Sequence, residues 1–120
     1  MKFNCENLEV YRIARSLVLE IYTLTRNFPS EEKFGITSQL RRAVISICLN
    51  IAEGSGKYSK KDFANFIRTS IGSLIEVDSA LKIAIDLEYI DTANCVEINK
   101  IIQELYFKLI ALDKVLRKNN

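Results

Sequence analysis

Residue types that carry most enzyme chemistry are scarce in this chain of 120 residues. It contains no histidine, which excludes Ser-His-Asp and Cys-His nucleophiles and the histidine motifs that bind zinc or paired iron ions. Its cysteines, Cys5, Cys48 and Cys95, are odd in number and far apart in the sequence. They form neither a Cys-x-x-Cys metal motif nor an evident disulfide framework. We therefore expect reduced thiols, no metal and no cofactor.

Carboxylate, lysine or tyrosine chemistry remains formally open. The candidate pair of carboxylates is Glu53 and Glu76, and this hypothesis requires both in one pocket that solvent can reach. Because almost no other residue fits a catalytic role, we expect the protein not to be an enzyme.

Charge is unevenly distributed along the sequence, although the formal net charge is only +2. Residues 37–70 have a net charge of +4, residues 71–99 one of −5, and residues 100–120 one of +3. Clustered lysines and arginines bind nucleic-acid phosphates by releasing counterions. The basic segments therefore indicate RNA or DNA as a partner, while the same asymmetry is also suited to orienting subunits in an oligomer.

A stripe of polar residues interrupts the most apolar segment. Its members recur every three or four residues, on one face of a helix: Gln39, Arg42, Ser46, Asn50 and Glu53. Polar groups on a mostly buried helix must be hydrogen-bonded or lie at an interface. We interpret the stripe as a polar seam between helices or subunits. The alternatives are a pocket with Glu53 as acid or base, and plain solvent exposure.

Periodicity predicts four helices, at about residues 7–27, 37–54, 59–87 and 92–117. One proline and four glycines argue against a β-sandwich or barrel. In the last segment the apolar residues follow a heptad: Ile98, Ile102, Leu105, Leu109, Leu112 and Leu116. We expect Thr37, Ser59 and Asp91 as N-caps, and Gly54 and Gly56 as C-cap and loop glycines.

These elements predict an all-α fold, an antiparallel up-down-up-down four-helix bundle that forms a single domain over residues 1–120. In this topology the loop between the second and third helices lies beside the end of the fourth helix. The basic pole formed there supplies the candidate phosphate contacts: Lys57, Lys60, Lys61, Lys114, Arg117 and Lys118. Tyr58 in the loop can stack on a base, and Arg41, Arg42 and Arg68 are weaker candidates.

Acidic residues are expected at the opposite end of the bundle. This acidic pole consists of Glu31, Glu32, Asp86, Glu88 and Asp91. No segment predicts a membrane span, because the longest uncharged stretch, residues 43–52, is about half the twenty residues required. The first thirty residues lack the apolar core of a signal peptide. We expect a cytoplasmic protein with no membrane partner.

Apolar residues exceed what one small bundle can bury. The second helix is apolar on most sides, and Ile71, Ile75, Ile101 and Val115 form further stripes on the third and fourth helices. Exposed apolar area of this kind marks interaction surfaces. We therefore expect copies of the chain to associate with one another.

Several motifs give the sequence a resemblance to a known family. They are Phe28-Pro29-x-x-Glu32, Thr37-Ser38-Gln39-Leu40-Arg41-Arg42-Ala43, Ser46-Ile47-x-x-Asn50-Ile51-Ala52-Glu53-Gly54 and Phe63-x-x-Phe66-x-x-x-Ser70-x-Gly72-Ser73-x-x-Glu76. With these motifs, which span almost the whole chain, the sequence resembles the four-helix-bundle proteins encoded in intervening sequences of 23S ribosomal RNA genes. That family also includes the accessory variability determinants of diversity-generating retroelements.

The resemblance implies an antiparallel four-helix bundle that assembles as a homopentamer and has no established enzymatic activity. For retroelement members it also implies binding to nucleic acid and to a reverse transcriptase. Because the net charge is only +2 and residues 76–97 are acidic, the intervening-sequence branch is favoured. A protein-only scaffold that binds no nucleic acid is the alternative function.

Overall fold

The computed structural model describes residues 1–118, and within them all regular structure is helical. Helix α1 spans Glu9–Thr25, α2 spans Ile36–Ser55, α3 spans Lys60–Asp86 and α4 spans Val96–Arg117. Short 3-10 turns lie at Asn4–Asn7, Ser30–Glu32 and Thr92–Cys95. The predicted all-α four-helix bundle is confirmed. Within the described residues, no helix is both long and apolar enough to cross a membrane.

Side-chain contacts show that sequential helices pack as antiparallel neighbours. On α2 and α3, Gln39 bonds to Glu76, whereas Gly54, near the end of α2, meets Phe66 near the start of α3. Tyr22 contacts Arg41 between α1 and α2, and Arg68 pairs with Asp113 between α3 and α4. Glu9 pairs with Lys108 between α1 and α4. The order α1, α2, α3, α4 around the bundle is therefore closed by contact between α4 and α1.

One continuous apolar core fills the space between the four helices. Each helix contributes side chains that are completely buried: Leu17, Ile21, Leu40, Ile47, Ile51, Ile67, Leu74, Leu105 and Leu109 among them. Their three- and four-residue spacing on each helix produces the apolar stripes seen in the sequence. Of the heptad in α4, Leu112 is half-buried and the other five residues are buried.

Two of the three expected N-caps differ from the structure. Ser59 caps α3 as predicted, because its Oγ accepts a hydrogen bond from the Asp62 backbone N–H at 3.0 Å. Asp91 instead caps the 3-10 turn before α4, through its bond from the Asn94 N–H at 2.9 Å. The prediction for Thr37 was wrong. It lies inside the first turn of α2, buried, with no hydrogen-bond partner for its Oγ1 among the described residues.

Gly54 serves helix packing rather than the end of α2. It is buried inside the last turn of the helix, which continues to Ser55. A Cβ at this position would lie 2.7 Å from the Cβ of Phe66 and 3.0 Å from the Cδ1 of Phe63. Only glycine allows α3 to approach this closely, so the expected C-cap role belongs to Gly56 alone.

We predict that Gly54→Ala lowers the free energy of unfolding by about 1–3 kcal/mol, the usual penalty for overpacking. The matched control is Gly72→Ala on the exposed side of α3, where an added Cβ meets nothing within 4 Å. That variant should gain about 0.5–1 kcal/mol from helix propensity. Urea unfolding followed by circular dichroism measures both. Equal effects of the two substitutions would contradict the close-approach role.

Candidate functional site

The loop between α2 and α3 forms the tip of the basic pole. It consists of residues 56–59 and carries Tyr58, whose side chain is fully exposed. The first turn of α3 follows with Lys60 and Lys61, both exposed. Backbone N–H groups at a helix N-terminus add partial positive charge to that of the lysines. The tip therefore carries local positive charge, which Asp62 in the same turn partly offsets.

The end of α4 lies beside this tip, as the antiparallel topology requires. The Nη2 of Arg117 donates a hydrogen bond to the Oδ1 of Asn65, in the second turn of α3, at 3.1 Å. Lys114 and Lys118 are exposed on the same last turns. The structure thus brings all six predicted phosphate contacts to one end of the bundle.

Two of these six cations are already paired with carboxylates. The Nζ of Lys57 lies 3.9 Å from the Oε2 of Glu53 and 5.2 Å above the centre of the Phe66 ring. Arg117 donates to the Oδ1 of Asp113 at 2.9 Å. By contrast, no ion pair within residues 1–118 involves the remaining four: Lys60, Lys61, Lys114 and Lys118.

Asp113 binds two arginines at once and was not anticipated from the sequence. Besides Arg117, its carboxylate accepts from the Nε of Arg68 on α3, with both oxygens at 3.3 Å. The Asp113 side chain is only 13% exposed. The four-residue spacing from Asp113 to Arg117 was the available signal, whereas the contact with Arg68 depends on how α3 packs against α4. Within the folded chain, this carboxylate neutralises part of the basic pole.

Two of the three weaker arginine candidates, Arg41 and Arg42, lie elsewhere. Arg41 donates through Nε to the Oγ1 of Thr25 at 2.9 Å, and its guanidinium lies 4.5 Å from the centre of the Tyr22 ring. These contacts attach α2 to the end of α1, towards the acidic pole. Arg42, a member of the polar stripe, is exposed at the polar groove between α2 and α3. Neither arginine contributes to the basic pole.

Three residues of the polar stripe are hydrogen-bonded along the line between α2 and α3. The Nε2 of Gln39 donates to the Oε2 of Glu76 at 2.6 Å. The hydroxyls of Ser46 and Ser73 lie 3.0 Å apart, and the Nδ2 of Asn50 donates to the Ser46 carbonyl at 2.8 Å. Gln39, Arg42 and Ser46 border a shallow polar groove of about 400 Å³. Gln39 and Ser46 thus form a polar seam with α3, whereas Asn50 supports it from within α2 by bonding to Ser46.

Glu53 does not belong to this seam. Its exposed carboxylate lies beside Lys57 at the basic pole, whereas Glu76 is bonded at the level of Gln39. Gln39 and Glu53 are 14 positions apart on α2, which corresponds to about 21 Å along the helix. The two carboxylates share no pocket, so the hypothesis of a catalytic Glu53–Glu76 pair was wrong.

The cysteines are buried and free of disulfides, as expected for packed thiols. Burial raises the pKa of the Cys48 thiol to about 11, an effect that the nearby charge of Arg15 partly offsets. Burial also raises the pKa of Cys95, with a smaller contribution from Asp91. Neutral buried thiols are poor nucleophiles and poor metal ligands. The described residues contain no cluster of three or more metal-binding side chains.

At the acidic pole, one carboxylate orders the chain between α1 and α2. The hydroxyl of Tyr89 donates to the Oε2 of Glu32 at 2.6 Å, and the Oε1 of Glu32 accepts from the backbone N–H of Ile36 at 3.4 Å. Glu32 thereby connects the start of α2 to the segment that follows α3. The Phe28 ring packs against Tyr89, with centroids 5.7 Å apart.

Comparison with known proteins agrees with this architecture. The sequence profile of the 23S rRNA-intervening sequence proteins matches residues 6–111. The chain belongs to this family. The crystal structure of a Bacteroides thetaiotaomicron protein with unknown function, from the S23 ribosomal protein family, superimposes with a TM-score of 0.77. The two share 26% identity over 88% of this chain and 98% of the other. No curated protein matches this intervening-sequence protein.

We predict that Tyr89→Phe lowers the melting temperature of this protein at neutral pH. The hydrogen bond to Glu32, with smaller contributions from burial and from the charges of Glu32 and Glu31, raises the pKa of Tyr89 above its ordinary value of about 10. Folding therefore favours the protonated phenol. The difference from wild type should be complete below pH 10 and shrink as pH rises through the higher folded pKa.

Thermal unfolding followed by circular dichroism from pH 7 to pH 11 measures this difference. Tyr58→Phe is the matched control, because the Tyr58 side chain is fully exposed. An unchanged melting temperature for Tyr89→Phe at neutral pH would refute the role assigned to this hydrogen bond.

Proposed function

We propose that this family member is a non-enzymatic, cytoplasmic homo-oligomer that binds the phosphates of RNA or DNA through its basic pole. The observation that carries the proposal is a set of exposed lysines at one end of the bundle, Lys60, Lys61 and Lys114, which take part in no ion pair within residues 1–118. Tyr58, in the loop just before Lys60 and Lys61, is fully exposed.

The chemistry of the pole suits a flexible, sequence-tolerant contact with nucleic acid. Lysine is a compact point charge that binds a phosphate without requiring one fixed geometry. Each phosphate neutralised releases counterions, which makes affinity depend steeply on salt. A base stacked on Tyr58 would add about 1–3 kcal/mol without selecting its identity.

Self-association is supported by large apolar side chains that the single chain leaves exposed: Leu19, Leu49, Ile75, Phe107 and Val115 among them. Family resemblance suggests five copies, and a reverse transcriptase as a further partner if the gene belongs to a retroelement. A scaffold that binds only protein remains the alternative function. The observation that favours it is the pairing of Lys57 and Arg117 with carboxylates of the same chain.

We predict that replacing Lys60, Lys61 and Lys114 together by alanine weakens nucleic-acid binding steeply. The slope of log affinity against log salt should fall by about 2–3, since each lysine accounts for roughly 0.7–0.9 of slope per phosphate. Fluorescence anisotropy with labelled single-stranded RNA and duplex DNA measures the slope. The ratio of absorbance at 260 and 280 nm of the purified protein reports bound nucleic acid.

The matched control replaces three basic residues away from the basic pole by alanine: Arg26, Lys33 and Lys100. It changes the net charge by the same amount. Equal losses in both triple variants would show that total charge, rather than the pole, governs binding. If the wild-type protein binds neither probe at low salt, the nucleic-acid function is wrong and the protein-only scaffold stands.

We also predict that Asp113→Asn strengthens nucleic-acid binding, because it releases Arg68 and Arg117 for phosphate contact. The salt slope should rise by up to about 2. Glu97→Gln is the control, since it adds the same charge but releases Lys100, whose Nζ lies 3.3 Å from the Oε1 of Glu97, away from the pole. Tighter binding in the control alone, or weaker binding by folded Asp113→Asn, would contradict a neutralising role for this carboxylate.

A further inference from the structure

A groove with an apolar floor lies open between α1 and α2. Its volume is about 490 Å³, and its lining is Arg12, Arg15, Ser16, Val18, Leu19, Ile45 and Cys48. Leu19, the last of the α1 residues that line it, is 70% exposed. The lining includes two arginines and no carboxylate, and neither arginine takes part in an ion pair within residues 1–118. We refer to it as the α1/α2 groove.

A second groove, of about 570 Å³, lies between α3 and α4. Leu74, Ile75, Ile102, Tyr106 and Phe107 form its apolar part, and Asp78, Lys82, Asn99 and Gln103 form its polar edge. Phe107 is 61% exposed. We refer to this surface as the α3/α4 groove.

The two grooves lie on opposite sides of the bundle, and one end of the first reaches the level of one end of the second. They are opposite because α1, α2, α3 and α4 follow one another around the bundle. Their heights follow from the contacts between neighbours: Arg15 and Cys48 share a groove, Ser46 lies beside Ser73, and Arg68 lies beside Asp113. Counting along the helices from these contacts places Leu19 and Phe107 at nearly the same level.

Chemistry favours contact between unlike grooves. If two α1/α2 grooves faced each other, four arginines would be brought together with no carboxylate in either lining. The α3/α4 groove instead offers oxygen acceptors to the arginines, from Asn99, Gln103 and the carboxylate of Asp78, which also binds Lys82 on its own helix. Guanidinium groups bind such carboxylate and amide oxygens well. Leu19 meanwhile meets an apolar surface that includes Phe107.

We infer that the α1/α2 groove of one copy packs against the α3/α4 groove of the next copy, side by side. This inference rests on the homo-oligomer of the proposed function and identifies its contact surfaces. A contact between unlike faces repeats from copy to copy, and the rotation between neighbours decides how many copies close the assembly. We place neighbouring copies parallel, which brings Leu19 of one copy level with Phe107 of the next, so every copy points its basic pole in the same direction.

Two single variants test the inference, Leu19→Asp in one groove and Phe107→Asp in the other. Leu19→Asp leaves only the α3/α4 groove intact, and Phe107→Asp leaves only the α1/α2 groove intact. Since the contact needs one groove of each kind, each variant alone should have the mass of one copy. An equimolar mixture should form a complex of two copies, joined through the remaining good grooves. Light scattering after size exclusion gives the masses, and circular dichroism confirms the fold.

The matched control is Phe34→Asp, at a side chain that is 90% exposed and lines neither groove; it should keep the wild-type mass. If a variant of the first pair does not fold, Arg15→Glu takes the place of Leu19→Asp, and Ile75→Asp takes the place of Phe107→Asp. The design is otherwise the same. The inference would be overturned if both variants kept the wild-type mass, or if either variant formed a dimer on its own. Self-association itself would still stand. If the wild-type protein has the mass of one copy, the proposed homo-oligomer is wrong. Nucleic-acid binding is tested separately by anisotropy.

Discussion

The close contact between α2 and α3 is the constraint on which the rest of the bundle depends. Its centre is the hydroxyl of Ser70, which is completely buried and donates to the backbone carbonyl of Ile47 at 3.0 Å. Small residues extend the contact in both directions, with Ser46 against Ser73 and Gly54 against Phe66. A buried hydroxyl left without a partner costs about 1–3 kcal/mol, so this bond favours one register of the two helices. That register determines which loops meet at each pole.

The helices themselves follow directly from the sequence, because apolar spacing and scarce proline and glycine leave few alternatives. The observed bounds differ from the predicted ones by a few residues at most ends. At Asp91 the difference has a clear cause: the chain first forms the 3-10 turn Thr92–Cys95, and α4 begins only at Val96. Thr37 was misread because the carboxylate of Glu32, a side chain from the preceding turn, reaches the start of α2. Local patterns do not report such contacts.

The candidate site was predictable only in its position. Topology alone brings the basic segments to one end, and that is where the structure has them. Which cations stay unpaired depends on tertiary contacts such as Asp113 with Arg68, which are 45 positions apart. For the same reason, the sequence did not show that Glu53 and Glu76 lie far apart. Glu53 is at the basic pole, whereas Glu76 bonds to Gln39 near the start of α2. A net charge of +2 therefore describes neither pole of the molecule.

The shortness of the α2–α3 loop has an entropic consequence. Backbone hydrogen bonds fix both sides of it, from Lys57 N–H to the Gly54 carbonyl and from Phe63 N–H to the Ser59 carbonyl. Lys60 and Lys61 belong to the first turn of α3, so their backbones are ordered before any ligand arrives. A partner then has to restrict only lysine side chains, at about 0.5–1.5 kcal/mol each, instead of folding a mobile segment. Such a preorganised surface can associate and dissociate quickly.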